Sequence, residues 1–152
     1  MHHQYYQRGR FVISTDPSLL DIKAIHEFLS HCYWAEEIPL LLVERSIQGS
    51  LCFGLYDGRT QIGFARVITD RATFAYMADV YVVEQYRGQG LGTWLVECIM
   101  AHPELQGLRR WCLLTRDAHG LYRKFGFTSP KDPGRYMEIS NSDIYKQRNN
   151  IP

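Results

Sequence analysis

An α+β fold with a mixed, mostly antiparallel central sheet flanked by helices is what this sequence predicts, and three observations predict it. Two short segments with helical apolar spacing come early, at 22–30 and 39–45. Three strand-like runs then follow one another with no helix between them. Strand and helix alternate only late, from about residue 74 onward. Strands gathered in a run, with alternation confined to one end, mark α+β rather than a doubly wound sheet. The chain has 152 residues, which suits one domain with a proper core and leaves little room for two. The expected division is a flexible N-terminal segment at 1–10, a single domain at 11–140 and a tail at 141–152.

Taken in order, residues 1–10 are polar and aromatic without period, so a loose end is expected. Phe11 to Ser14 reads as a first strand, and Asp16-Pro17 as a turn or helix start. Ile22, Ile25, Leu29 and Cys32 share one helical face, giving a helix through about Ser30. Tyr33 to Glu37 is a loop, and Pro39 opens a second helix through about Arg45. Leu51 to Tyr56 and Gln61 to Thr69 flank Asp57-Gly58, a strong hairpin signal. Phe74 to Val83 is a further strand. After it comes a loop with Gly88, Gly90 and Gly92, then a helix whose apolar positions are Leu91, Trp94, Leu95, Cys98 and Ile99. Pro103 limits that helix to about Ala101. A buried strand near 109–115, a short helix near 118–125 capped by Asp117 and closed by Gly126, and a last strand around Arg135 to Ile139 complete the order. Phe53, Phe64, Phe74 and Tyr76, at strand positions, are expected in the core.

The glycine loop carries most of the chemistry. A strand feeding a glycine-rich turn and then a helix makes an anion site, because the first-turn N–H groups are free and the dipole adds positive charge there. Glycine removes the Cβ that would keep a diphosphate away from the backbone. No Lys-Ser or Lys-Thr pair follows, so this is not a P-loop, and the spacing G-x-G-x-G is not the dinucleotide fingerprint. Gln85-Tyr86-Arg87-Gly88-Gln89-Gly90 reads Q-x-x-G-x-G and resembles the acetyl-CoA loop of the GNAT (GCN5-related N-acetyltransferase) superfamily. A second segment agrees: Ala118, Leu121, Tyr122, Lys124, Gly126 and Phe127 resemble that superfamily's later motif A-x-x-L-Y-x-K-x-G-F. The resemblance spans roughly residues 10–140.

It implies a sheet whose two central parallel strands splay apart to admit acetyl-CoA, the acetyl donor co-substrate. By resemblance the backbone of Val80, Tyr81 and Val82 would pair with the pantetheine arm, the Val82 N–H polarising the thioester carbonyl. The diphosphate would lie on Arg87, Gly88, Gln89, Gly90, Leu91, Gly92 and Thr93. Tyr122 matches the general acid that protonates the leaving thiolate, since a phenol keeps its proton at neutral pH. Asp79 is the candidate base for the attacking amine. Many relatives carry Asn where Thr115 stands, so Thr115 takes over that pantetheine contact with shorter reach. Tyr33 and Trp34 would roof the acceptor. His119, which could titrate near neutrality, reads as a solvent-facing helix residue.

Composition excludes several classes. Hydrophobic residues make up 45% and charged residues 22%, with a net charge of +1, so nothing calls for nucleic acid or an anionic membrane. No apolar run is long enough to span a bilayer and Met1-His2-His3-Gln4 does not open a signal peptide, so a cytoplasmic protein is expected. Cys32, Cys52, Cys98 and Cys112 sit singly in apolar segments and read as free thiols, and no metal-ligand spacing occurs. The expected activity is N-acetylation of a primary amine, on a small molecule or on a protein lysine or N-terminus, by direct attack in a ternary complex, by a monomer or homodimer. The competing readings are a non-catalytic acyl-CoA-binding or regulatory module on the same fold, and another nucleotide-binding α/β protein.

Overall fold

The computed structural model describes residues 2–149, with side chains described through residue 146. Six strands form one sheet in the order β1 to β6 along the chain: β1 Tyr5–Arg8, β2 Phe11–Ser14, β3 Leu51–Asp57, β4 Thr60–Thr69, β5 Phe74–Val82 and β6 Arg110–Leu113. All neighbours pair antiparallel except β5 and β6, which are parallel. Helices α1 (Ile22–Ser30) and α2 (Leu40–Gln48) join β2 to β3. Helix α3 (Leu91–Met100) makes the crossover from β5 to β6, α4 (His119–Arg123) follows β6, and α5 (Ile144–Asn149) lies near the C-terminus.

The helices cover both faces of the sheet. Ile13, Phe53, Leu55 and Ile62 pack with Leu95, Ile99 and Tyr122 on the side of α3 and α4. On the other side Phe64 and Tyr81 pack with Ile25 and Leu29 of α1 and Val43 and Ile47 of α2. Phe53 and Phe64 are fully buried as expected, and truncating either to alanine would cost about 3–5 kcal/mol. Phe74 is instead 40% exposed and Tyr76 half-buried, whereas Ala75 and Met77, on the opposite face of the same strand, are buried in the core with α3. Asp21 caps α1 through its side chain, which accepts from the Ala24 N–H. The Asp57-Gly58 turn forms as the pattern requires, with Gly58 at φ +60°.

Two expectations about the ends need correction. Within the N-terminal segment expected to be flexible, Tyr5–Arg8 is strand β1, paired with β2 through a turn at Gly9 and Arg10. Gly9 supplies the positive φ of +58° the turn needs, and Tyr6 packs against the core. An edge strand polar on both sides shows no alternation, which hides it in the sequence. In the other direction, the strand expected at 135–139 does not form. Pro133–Arg135 makes a single turn, and Met137 and Ile139 stand 91% and 105% exposed. Strand propensity is realised through pairing and packing, and this segment packs neither apolar side chain. The remaining bounds move by only a few residues: α2 runs on to Gln48 and β6 stops at Leu113.

Candidate active site

The two parallel strands part company halfway. β5 pairs with β6 from Phe74↔Arg110 to Met77↔Leu113, and then continues to Val82 without β6, still paired with β4. The cause is a β-bulge. The register between β4 and β5 shifts between Phe64↔Tyr81 and Arg66↔Ala78, leaving one extra residue in β5. Asp79 sits in that bulge at φ +54°, a left-handed conformation that aspartate tolerates better than most residues. A bulge bends its strand, and here the bend opens a gap beside β6.

The backbone facing the gap follows from the ladder. In an antiparallel pair, alternate residues turn their N–H and C=O to opposite neighbours. The Val83 N–H donates to Ile62 O at 2.8 Å, toward β4, so Val82 turns its groups toward the gap. The Val82 carbonyl accepts from Arg87 Nε at 2.9 Å, and its N–H is left facing the opening. Arg87 therefore braces the strand through its side chain. Val80 packs against the core, and Tyr81 is buried, its ring stacked on Phe28 with centroids 3.7 Å apart.

At the end of β5 the chain makes one turn at Glu84–Tyr86 and enters α3. Gly88 and Gly90 have φ of +82° and +81°, and Gly90 is the N-cap of α3 with no side chain capping the helix. A Cβ at either position would meet nothing within 4 Å, so the space in front of the loop is open. Gly92 lies in the first turn, its built Cβ position 3.9 Å from Val82 Cγ2, close to the strand. Leu91 is buried and anchors the turn, and Thr93 follows it on α3. Gln89 Nε2 donates to Tyr86 O at 3.2 Å and holds the loop's shape. Two surface hollows of about 640 and 360 Å³ border Gln89 from the other flank, against Arg10.

The second strand–helix junction is built differently. α4 starts later than expected, at His119, and no side chain caps it; Thr115 Oγ1 accepts from the N–H of Ala118, the residue just before the helix, at 3.0 Å. Asp117, the cap expected from the sequence, is exposed and does not fill the role. Tyr122 is 8% exposed, and its phenol is pushed up to about 12, mainly by burial and further by the neighbouring Tyr33. It thus holds its proton across the physiological range. His119 is exposed.

Asp79, the candidate base, has both carboxylate oxygens engaged. Oδ1 accepts from Trp34 Nε1 and Oδ2 from Arg66 Nε, each at 2.8 Å. Arg66 also donates through Nη1 to Ser50 Oγ at 3.3 Å. Tyr33 lies over the opposite strand's end: its hydroxyl oxygen accepts from the Arg116 N–H at 3.3 Å, and the Arg116 guanidinium stands 3.8 Å from its ring centroid. The Tyr33 and Trp34 rings meet edge to face, centroids 5.0 Å apart. Sequence reasoning misses Arg66 and Arg116. An arginine within the otherwise apolar run Phe64 to Ile68 signals a buried partner, whereas nothing local marks Arg116.

The comparisons agree with this geometry. The family described as Acetyltransferase (GNAT) domain matches residues 48–129, from the end of α2 through α4. A candidate acetyltransferase from Gibberella zeae is 35% identical over 144 residues, 80% of each chain. The chain belongs to the GNAT family. A candidate GNAT acetyltransferase from Xanthomonas campestris pv. campestris has 51% identity and a TM-score of 0.88, covering 91% of this chain and 99% of its own. A candidate acetyltransferase from Staphylococcus aureus superposes with a TM-score of 0.66 at 27% identity, over 86% of this chain and 99% of its own. A Clostridium acetobutylicum protein crystallised with acetyl-CoA shares the GNAT fold at 14% identity and a TM-score of 0.60, over 91% of this chain and 96% of its own. Among the described residues no group of three or more His, Cys, Asp or Glu side chains could hold a metal, and no helix is long and apolar enough to cross a membrane.

Proposed function

We propose that this GNAT protein moves the acetyl group of acetyl-CoA to a primary amine by direct attack in a ternary complex. The observation that carries the reading is the alignment of two backbone features along one opening. The Val82 N–H faces the gap between β5 and β6, and the uncapped N-terminus of α3, with Gly88 and Gly90 beside it, lies at the end of the same strand. The crystallised Clostridium protein gives acetyl-CoA as a ligand of this fold.

Acetyl-CoA supplies an activated thioester and a thiolate leaving group. The chain's residues supply the rest. First-turn N–H groups of α3 and the backbone at Arg87 to Gly90 bind the diphosphate. The Val82 N–H donates to the carbonyl oxygen as charge develops on it, and such oxyanion stabilisation is often the main source of rate enhancement in acyl transfer. Tyr122 donates its proton, or a hydrogen bond, to the departing sulfur. Tyr33 and Trp34 roof the acceptor. Asp79 holds Trp34 with one oxygen and Arg66 with the other, and its side chain is only 10% exposed. We therefore assign the amine's proton to water and Asp79 to positioning. No cysteine lies in the loop to carry the acetyl group covalently.

The test is a panel of amines, from small polyamines to lysine peptides, screened for CoA release with acetyl-CoA saturating. Turnover with at least one amine is expected. Tight acetyl-CoA binding with no turnover on any amine would instead favour the non-catalytic module.

A further inference from the structure

The loop between α1 and α2 is tied down at two consecutive residues, and the two ties go to different strands. Trp34 donates its indole N–H to Asp79 in the bulge of β5, and Tyr33 accepts from the backbone N–H of Arg116, just past the end of β6. These are the two strands that part to form the gap. Each tie is backed by an arginine. Arg66 holds the other oxygen of Asp79 at 2.8 Å, with the two side chains only 16% and 10% exposed. Arg116 lays its guanidinium 3.8 Å from the centre of the Tyr33 ring. The partners are far apart in sequence, 45 residues for Trp34 and Asp79 and 83 for Tyr33 and Arg116, so only the fold brings them together.

We propose that Arg66, Asp79 and Arg116 are positioning residues that turn Tyr33 and Trp34 into a bridge across the gap, so that the roof over the acceptor follows the width of the cofactor gap. The inference rests on the acetyl-CoA reading above. The physical argument is one of stiffness. A charge-assisted hydrogen bond is short and strong and resists stretching. The bulge residue Asp79 is also the point where β5 bends, so any change in that bend moves the carboxylate and the indole attached to it. Tyr33, adjacent in the chain and packed edge to face on Trp34, carries the other end of the span. A loop tied to one strand alone would not register the separation of the pair.

The experiment follows the Trp34 indole N–H of the full chain by ¹H–¹⁵N NMR, assigned by its loss in Trp34→Phe, with acetyl-CoA added to saturation. In the wild type the signal is expected to move on saturation, although acetyl-CoA need not touch the indole. Arg66→Met is expected to free Asp79, speed indole hydrogen exchange about tenfold, the scale of one hydrogen bond to a charged acceptor, and weaken acetyl-CoA several-fold. Arg66→Lys should restore much of both and provides the folded comparison if the Met variant melts early. Tyr33→Phe, which removes the hydroxyl that accepts from the Arg116 N–H, should leave the free-state indole signal in place but shrink its movement on saturation, and Arg116→Ala, which removes only the guanidinium over the ring, should shrink it less. Acetyl-CoA binding with an unmoved indole, or an indole identical in wild type and both Arg66 variants, would overturn the bridge alone. No acetyl-CoA binding at all would overturn the cofactor reading and the coupling with it.

Discussion

The chain contains two strand-to-helix junctions on the same side of the sheet, and they are finished in opposite ways. Where β5 enters α3, glycines take left-handed φ, no side chain caps the helix, and the space in front is open. Where β6 enters α4, the Thr115 hydroxyl closes the turn before the helix by accepting from the Ala118 N–H, and the phenol of Tyr122 is buried. Helix N-termini carry unsatisfied N–H groups in both cases. At the second junction a side chain holds the turn that leads into the helix; at the first, left-handed glycines leave the approach to the helix open. Under the proposed function the contrast separates two roles: α3 would hold phosphate through backbone, and α4 would position a side chain for chemistry.

Four changes would break or sharpen that contrast. Tyr122→Phe acts on the chemical junction and should lower turnover on the amine found in the panel by about 10²–10⁴-fold, while acetyl-CoA affinity stays within about twofold. Wild-type turnover in that variant would reduce Tyr122 to packing. The buried phenol also makes an alkaline prediction. Its folded value is pushed up to about 12 against 10 for the exposed group, so the unfolded chain loses this proton first. Stability is therefore complete below pH 10 and declines between about 10 and 12, by roughly 2 kcal/mol from this residue. Denaturant unfolding at stepped pH should show a shallower decline in Tyr122→Phe than in the wild type; parallel curves would mean the phenol is not buried as described.

Gly90→Asp acts on the phosphate junction. It puts a carboxylate where the anion belongs and a side chain at φ +81°, and acetyl-CoA should bind at least about tenfold more weakly, about 1.4 kcal/mol. Unchanged affinity in the folded variant would move the site elsewhere. Thr115→Val removes the hydrogen bond to the Ala118 N–H in the turn before α4 and should cost about 1 kcal/mol in stability with acetyl-CoA affinity nearly unchanged. A large loss of affinity instead would mean that the Thr115 hydroxyl also contacts the pantetheine.

The first junction is legible in the sequence and the second only partly so. Glycine spacing and a 3.6-residue apolar period are local signals, and both α3 and its loop lie where they indicate. Tyr122 stands out through a motif of similar locality. Asp117 looks like the cap of α4 only if the helix starts early; with the start at His119, Thr115 is the side chain that reaches Ala118. The bulge is invisible, since Ala78-Asp79-Val80 reads as uninterrupted strand and only the register with β4 reveals the extra residue. Arg66 and Arg116 escape notice because their partners lie 13 and 83 residues away, beyond any periodicity. The tail misleads for the converse reason: Tyr136 to Ile139 alternates like a strand, but alternation alone supplies no pairing edge.

The central claim is that the open junction before α3 takes the diphosphate of acetyl-CoA. Thermal unfolding of the wild type and Gly90→Asp, with acetyl-CoA, ATP or NAD at matched concentration, tests it most directly. Acetyl-CoA at a hundredfold excess over its dissociation constant should add about 2.7 kcal/mol to the wild type, and a clearly smaller increment at the same concentration to the variant. ATP and NAD should do little to either. A larger shift with NAD than with acetyl-CoA, or an acetyl-CoA shift equal in both proteins, would contradict it.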